Sequence, residues 1–169
     1  MAGRFTYCPH CAAPLVDRVV NDQVRSTCPA CDFVHWRNPA VGVAVIVVEN
    51  GRILLGQRAR GRYRGAWCIP CGYVEHDEDV RAAAVREFAE ETGLLVELGE
   101  VYAVRSNFHN PALHTVGIWF RGTILRGELC PQDDLSAAAW FDLRQLPQAI
   151  AFPTDVEVLA QLAASSVEP

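Results

Sequence analysis

The stretch "GYVEHDEDVRAAAVREFAEETGL" occupies residues 72–94. Its centre, "VRAAAVREFAEET" (80–92), is built from good helix formers. Asp79 or Asp77 can cap the start, and Gly93 suits the left-handed position past the end. At about 100° per residue, Val80, Ala83 and Ala84 share a face that continues into Glu87, Glu90 and Glu91. Three carboxylates on one face repel one another, and they stand where the helix dipole is already negative. Each effect is worth tenths of a kcal/mol to about 1 kcal/mol, all of one sign. A solvated acidic face explains the cluster poorly, because the acids extend a small-residue stripe that should face inward. A hard divalent cation, Mg²⁺ or Mn²⁺, resolves the repulsion and leaves room for water and phosphate oxygens.

Outward from this helix the pattern is mostly strand. "AVGVAVIVVE" (40–49) is a β-branched run, "NG" (50–51) a hairpin turn, and "RILLGQR" (52–58) the return strand. Trp67–Ile69 and Tyr73-Val74 read as strand pieces around a turn at Pro70-Cys71-Gly72. Residues 94–104, 114–125 and 137–143 are further strands, and 154–165 is a second amphipathic helix. Strands with two helices predict an α/β sandwich.

Three C-x-x-C pairs punctuate the chain. Cys8-Pro-His-Cys11 and Cys28-Pro-Ala-Cys31 stand 16 residues apart, a spacing that suits four thiolates around one structural Zn²⁺. The intervening segment carries a strand-turn-strand pattern around Asn21-Asp22 and is too small for a core of its own, so the metal would supply folding free energy. His10 reads as an exposed turn residue beside this closed site. Pro39 marks the boundary between a ribbon of residues 1–37 and a main domain of 38–169. The third pair, Cys68 and Cys71, reads as two structural thiols or a redox dithiol; the second role would want a following helix, and none follows directly.

The net charge of −5 over 169 residues argues against a dedicated nucleic-acid binder. There is no apolar run of spanning length and no secretory leader pattern, so a cytoplasmic, reducing setting is expected, with no membrane partner.

Gly72, Glu78, Arg86-Glu87-Phe88, Glu90-Glu91 and Gly93-Leu94 stand at the spacing of the box of the Nudix hydrolases, which the chain resembles. "ILLGQR" (53–58) before the box and "WFDLRQLP" (140–147) after it extend the resemblance. The two cysteine pairs followed by "RNP" (37–39) look like the zinc-ribbon branch of that family. The resemblance implies a Nudix-type α/β/α sandwich with a mixed sheet, preceded by a small N-terminal zinc ribbon. It implies hydrolysis of a nucleoside diphosphate linked to another group X. Glu87, Glu90, Glu91 and the Gly72 carbonyl would hold catalytic Mg²⁺ or Mn²⁺, and Arg86 would pair with Glu78. Glu87 is the first choice for the base, with Glu128, Asp133 and Asp134 as alternatives on a later loop.

The family usually has a glycine where Cys71 stands. NADH pyrophosphatases of the zinc-ribbon branch carry Ser-Gln-Pro-Trp-Pro-Phe-Pro after the box; this chain has "VRSNFHNPALHTVGI" (104–118). That difference favours ADP-ribose or FAD, with AMP released. Phe108 and His109 would stack on a base, and Arg58, Arg62 and Arg64 would meet phosphate. NADH hydrolysis is the alternative within the family; outside catalysis, it is a ligand-sensing regulator whose ribbon binds nucleic acid or protein. A nucleotide small molecule is the expected partner, and a homodimer is allowed.

Overall fold

The structure is a computed structural model and describes residues 5–165; the outermost parts of the two expected domains, 1–4 and 166–169, lie outside the described residues. The chain divides into two compact units. One runs to Pro39 and includes Asn110–Leu113, and the other holds Ala40–His109 and continues from His114.

In the first unit, β1 (Val16–Val20) and β2 (Gln23–Thr27) form an antiparallel hairpin. Its two-residue turn is Asn21-Asp22, with φ of 50° and 58°. Both positive values match the turn whose twist fits a hairpin, and Asn and Asp tolerate them better than most residues.

The second unit contains β3 (Ala40–Ile46), β4 (Val48–Glu49), β5 (Arg52–Arg58), β6 (Trp67–Cys68), β7 (Cys71–Tyr73), α1 (Val80–Thr92), β8 (Leu94–Asn107), β9 (Thr115–Gly127), β10 (Leu135–Asp142) and α2 (Pro153–Ser165). One sheet has the order β7-β3-β9-β8 and is mixed, with β3 and β9 parallel. The other has the order β10-β5-β4, with β6 pairing the far end of the β5 edge that β4 also pairs. The apolar run of β3 is continuous because both its faces are covered. Val43, Val45 and Val47 pack into a core with Ala83, Ala84 and Phe88 of α1. Ala44 and Ile46 point the other way, into a core with Val158, Leu159 and Leu162 of α2. The α/β/α layering follows from this alternation.

The helix bounds agree with the sequence reading. Asp79 is the cap, accepting from the N–H groups of Arg81 and Ala82 at 2.9 and 3.1 Å. Gly93 closes the helix at φ 74°, a left-handed conformation that costs little without a Cβ.

Two expectations change. The single strand over 40–49 breaks at Val47, and β3 and β4 belong to different sheets. The turn expected at Pro70-Cys71-Gly72 is not a hairpin: β6 pairs with β5, β7 pairs with β3, and Cys71 and Gly72 are strand residues. The chain therefore passes from one sheet to the other between Cys68 and Cys71. Along this passage the Pro70 carbonyl accepts from Val45 N–H at 3.1 Å. The N–H groups on either side lack ladder partners and take carboxylates instead. Ile69 N–H donates to Asp155 Oδ2 at 3.0 Å and Cys71 N–H to Glu91 Oε2 at 2.8 Å.

Asp155 lies in the first turn of α2, 2% exposed, and also accepts from Trp119 Nε1 at 3.1 Å. Burial pushes its carboxyl from the ordinary 3.8 up to about 7, against the lowering effect of its two hydrogen bonds. Between those values the native state holds a proton that the unfolded chain has released, so this group's stabilising contribution is present at low pH and lost as pH rises toward 7. Urea unfolding at steps from pH 4 to pH 8 should show this fall, on the order of a few kcal/mol, in the wild type. The pH-dependent difference between the wild type and Asp155→Asn isolates it; identical slopes in the two proteins would refute the assignment.

Candidate functional site

Strand β7 and helix α1 carry the acidic site, one from the mixed sheet and one packed across it. The three glutamates of the inward face do not sit at one depth. Glu91 is 1% exposed, the Glu87 side chain is 15% exposed, and that of Glu90 is 51% exposed. The order follows the angle around the helix: Glu91 falls on the line of the buried Ala84 and Phe88, Glu87 beside it, and Glu90 furthest round toward solvent.

Gly72 lies directly against the Glu87 carboxylate, so close that a Cβ at position 72 would overlap its carboxylate atoms. Only a residue without a side chain lets strand and carboxylate approach in this way. Strand β7 and the Glu87 carboxylate are thus in direct contact at Gly72.

Arg86 organises the outer part of the site. Its Nε and one terminal nitrogen grip both oxygens of Glu78 at 2.7 and 2.8 Å, a fork-to-fork pair. Its other terminal nitrogen meets Glu87 at 2.8 Å and Glu90 at 3.1 Å, and the guanidinium also donates to the Tyr73 carbonyl at 3.1 Å. Glu78 is held down at about 2, chiefly by Arg86 and then by the Glu75 N–H. The Glu78–Arg86 pairing expected from sequence is present; the contacts of Arg86 with Glu87, Glu90 and Tyr73 go beyond it.

Glu91 is the inner member. Burial pushes its carboxyl from 4.5 up to about 8, partly opposed by the Cys71 N–H and by Arg58. Arg58 approaches Glu91 at 3.8 Å and bonds Asp134 at 2.9 Å. Asp134 also pairs with Arg60, as does Asp133 at 3.1 Å. The loop carrying these aspartates is tied to the end of α1, with Cys130 N–H on the Thr92 carbonyl and Gln132 N–H on that of Glu91. Glu128 is exposed on the same loop.

The expected substrate contacts separate into two groups. The Arg58 guanidinium lies 5.9 Å from the Phe152 ring centre, and His109 packs against Phe152 and Tyr63 at 5.7 and 5.9 Å. A wall of cation and aromatic rings therefore starts beside Glu91 and reaches His109. Arg62 is nearby, its guanidinium 5.5 Å from the Tyr63 ring centre and bonded to the His109 carbonyl at 3.5 Å. Phe108 stands apart, 68% exposed with its ring edge on His114, and Arg64 is exposed on the 60–66 loop. Sequence reasoning missed Tyr63, Phe152 and Asp155. Asp155 resembled an ordinary acid in a first helical turn, and only its burial separates it from one.

Two donor sets are present. Glu87, Glu90 and Glu91 offer carboxylate oxygens, the donor type that Mg²⁺ or Mn²⁺ takes, and the bare Gly72 lets β7 approach Glu87 closely. Arg86 stands between Glu87 and Glu90, so their oxygens do not converge on a single point. Among the described residues, the mutually close metal-ligand group is Cys8, Cys11, Cys28 and Cys31, with all sulfurs within 4.8 Å of one another. Sulfur separations of 3.4, 3.7 and 3.8 Å compare with about 3.8 Å for a tetrahedron of sulfurs about 2.3 Å from zinc. His10 N–H and Ala30 N–H each point at the first sulfur of their knuckle at 3.4 Å, while the exposed His10 ring leans on Phe33.

A model of the NUDIX domain family matches residues 36–162. The chain is also 38% identical over 114 residues to an ADP-ribose pyrophosphatase of Methanocaldococcus jannaschii, covering 67% of this chain and 68% of that protein. The chain belongs to the Nudix family. Like the relatives it matches, this Nudix protein is a pyrophosphohydrolase by class. A Nudix hydrolase of Nitrosomonas europaea superposes with a TM-score of 0.85 at 29% identity, over 98% of this chain and 95% of that one. A NAD-capped RNA hydrolase of Vibrio parahaemolyticus is 25% identical over 168 residues, 99% of this chain and 62% of that protein. No helix among the described residues is long and apolar enough to cross a membrane.

The Gly72 cradle gives a direct test of the Nudix site. Gly72→Ala forces the Glu87 carboxylate away from β7. Steady-state kinetics should show kcat lowered at least tenfold while the circular dichroism spectrum is retained. A folded variant with wild-type kcat would mean that this contact has no part in the site.

Proposed function

We propose that the protein is a Mg²⁺- or Mn²⁺-dependent hydrolase that cleaves the diphosphate of ADP-ribose or FAD and releases AMP. The observation that carries this reading is the stacking of Glu87 on Gly72 above the buried Glu91. Glu87, Glu90, Glu91 and the Gly72 carbonyl would hold the cations. A divalent cation there supplies charge neutralisation for the diphosphate and acidifies water for attack on phosphorus. Glu91 must give up its proton for this, and Arg58 beside it favours the ionised form. Glu78 fixes Arg86, which positions Glu87 and Glu90 along the helix. Glu87 is the favoured base because its carboxylate rests on Gly72 inside the proposed cation site, whereas Asp133 and Asp134 lie on a later loop and are paired with Arg60 and Arg58.

The choice of ADP-ribose draws support from the 38% identical relative of that name. The wall of Arg58, Phe152, Tyr63 and His109 suits a phosphate followed by a base. A second reading has its own observation: the relative named a NAD-capped RNA hydrolase aligns over 99% of this chain, so the alignment extends through the segment that carries the two cysteine pairs. Cys8, Cys11, Cys28 and Cys31 would hold one structural zinc, closed to substrate because four sulfurs complete its coordination.

One set of assays tests the whole reading. With saturating Mg²⁺, ADP-ribose and FAD should be cleaved to AMP with higher kcat/KM than NADH or NAD-capped RNA. Glu91→Gln should lose activity by orders of magnitude and keep its fold. Elemental analysis of the dialysed protein should find one zinc per chain. A tenfold preference for NADH or the capped RNA would transfer the substrate assignment to the second reading, and an active Glu91→Gln would refute the cation site.

A further inference from the structure

Two buried carboxylates from opposite helices hold one three-residue segment. Glu91, on α1, takes the Cys71 N–H at 2.8 Å, and Asp155, on α2, takes the Ile69 N–H at 3.0 Å. Pro70 between them has no N–H, and its carbonyl is bound by Val45. Ile69 is 0% exposed, so no water stands in for Asp155. The next residue along is Gly72, on which the Glu87 carboxylate rests. Asp155 thus sits three residues from the cradle, although 86 positions separate it from Ile69 in sequence.

We propose that Asp155 is a positioning residue for the acidic site, acting through Ile69 and the passage between β6 and β7. Asp155 touches none of the acidic residues itself. What it fixes is the height and slant of the Ile69–Gly72 backbone relative to α1. A carboxylate suits this task because it accepts from two fixed donors at once, Ile69 N–H and Trp119 Nε1, each with its own oxygen. The first turn of α2 holds the carboxylate beside Ile69 and the Ile69 bond transmits that anchor to the segment, while the Trp119 bond is a second contact, to β9, on the other oxygen. Released from Asp155, the Ile69 N–H would be buried without a partner, and the segment would shift to find one. A shift of β7 alters the contact of Gly72 with Glu87 and that of Cys71 with Glu91 together. Changes of this outer kind lower metal affinity or activity by about 10- to 100-fold where they support ligands.

The proposal rests on the cation site described above, and the test separates the two. Mn²⁺ affinity is read by electron paramagnetic resonance without any substrate, and kcat and KM are read on whichever substrate the wild type turns over. For Asp155→Ala we expect Mn²⁺ affinity and kcat each to fall about tenfold or more, with KM changed less than about threefold. Asp155→Asn keeps one acceptor, and the same losses should be smaller but present. Trp119→Phe is the control: it removes the other bond of Asp155 and disturbs the core, but leaves the Ile69 bond available. A residue that merely stabilises the fold predicts equal damage from Trp119→Phe and Asp155→Ala; positioning predicts near-wild-type Mn²⁺ affinity and kcat in Trp119→Phe. Should Asp155→Ala not fold, Asp155→Asn decides alone: unchanged affinity and kcat overturn the proposal, and a joint loss of at least threefold supports it. Wild-type protein that binds no Mn²⁺ would instead refute the cation site.

Discussion

The buried carboxylate of Glu91 is the constraint on which the site depends. Burying a carboxylate is costly unless hydrogen bonds and opposite charge meet it. Helix α1 has no freedom to avoid the cost, because Ala83, Ala84 and Phe88 fix which face turns inward and Glu91 continues that face. The carboxylate therefore recruits a backbone N–H from the sheet and lies beside Arg58. That N–H is free because β7 is the edge strand of its sheet and Cys71 turns its N–H away from β3. The passage between sheets, often no more than a connection, is here the point at which helix and strand are registered. Gly72 falls next to it and gives Glu87 its place.

Charge is arranged in a gradient from this point. Glu91 is deep and held toward its protonated form by burial, Glu87 is intermediate, and Glu90 faces water. Arg86, locked by Glu78, offsets the repulsion among the outer acids, which explains how a helix with three acids on one stripe can be stable. Arg58, Asp134 and Arg60 form a second alternating series on the opposite side of Glu91. The two series leave Glu87 and Glu90 paired but within reach of solvent, a suitable state for groups proposed to exchange an arginine contact for a cation.

Much of this was legible in sequence, for identifiable reasons. The bounds of α1 follow from local capping by Asp79 and Gly93. The hairpin turns at Asn21-Asp22 and Asn50-Gly51 follow from residue types that accept positive φ. The two cysteine pairs of the ribbon meet because their spacing is a local geometric signal. What escaped depends on contacts distant in sequence. Nothing near Asp155 shows that its partner is Ile69, 86 positions away. Cys71 and Gly72 read as a turn because Pro-x-Gly is turn chemistry, whereas the strand partner of each lies on β3. Phe108, rather than Tyr63 or Phe152, drew notice as an aromatic beside His109 in sequence, yet folding puts the latter two against the histidine.

The central claim is that the acid stripe of α1, set against Gly72, is a divalent-cation site. Mn²⁺ titration of the protein, followed by electron paramagnetic resonance, addresses it without reference to any substrate. Glu87→Gln and Glu90→Gln change partly and largely exposed side chains, so both variants should remain folded. Mn²⁺ should bind the wild type and bind each variant at least tenfold more weakly. Equal Mn²⁺ affinity in all three proteins would contradict it.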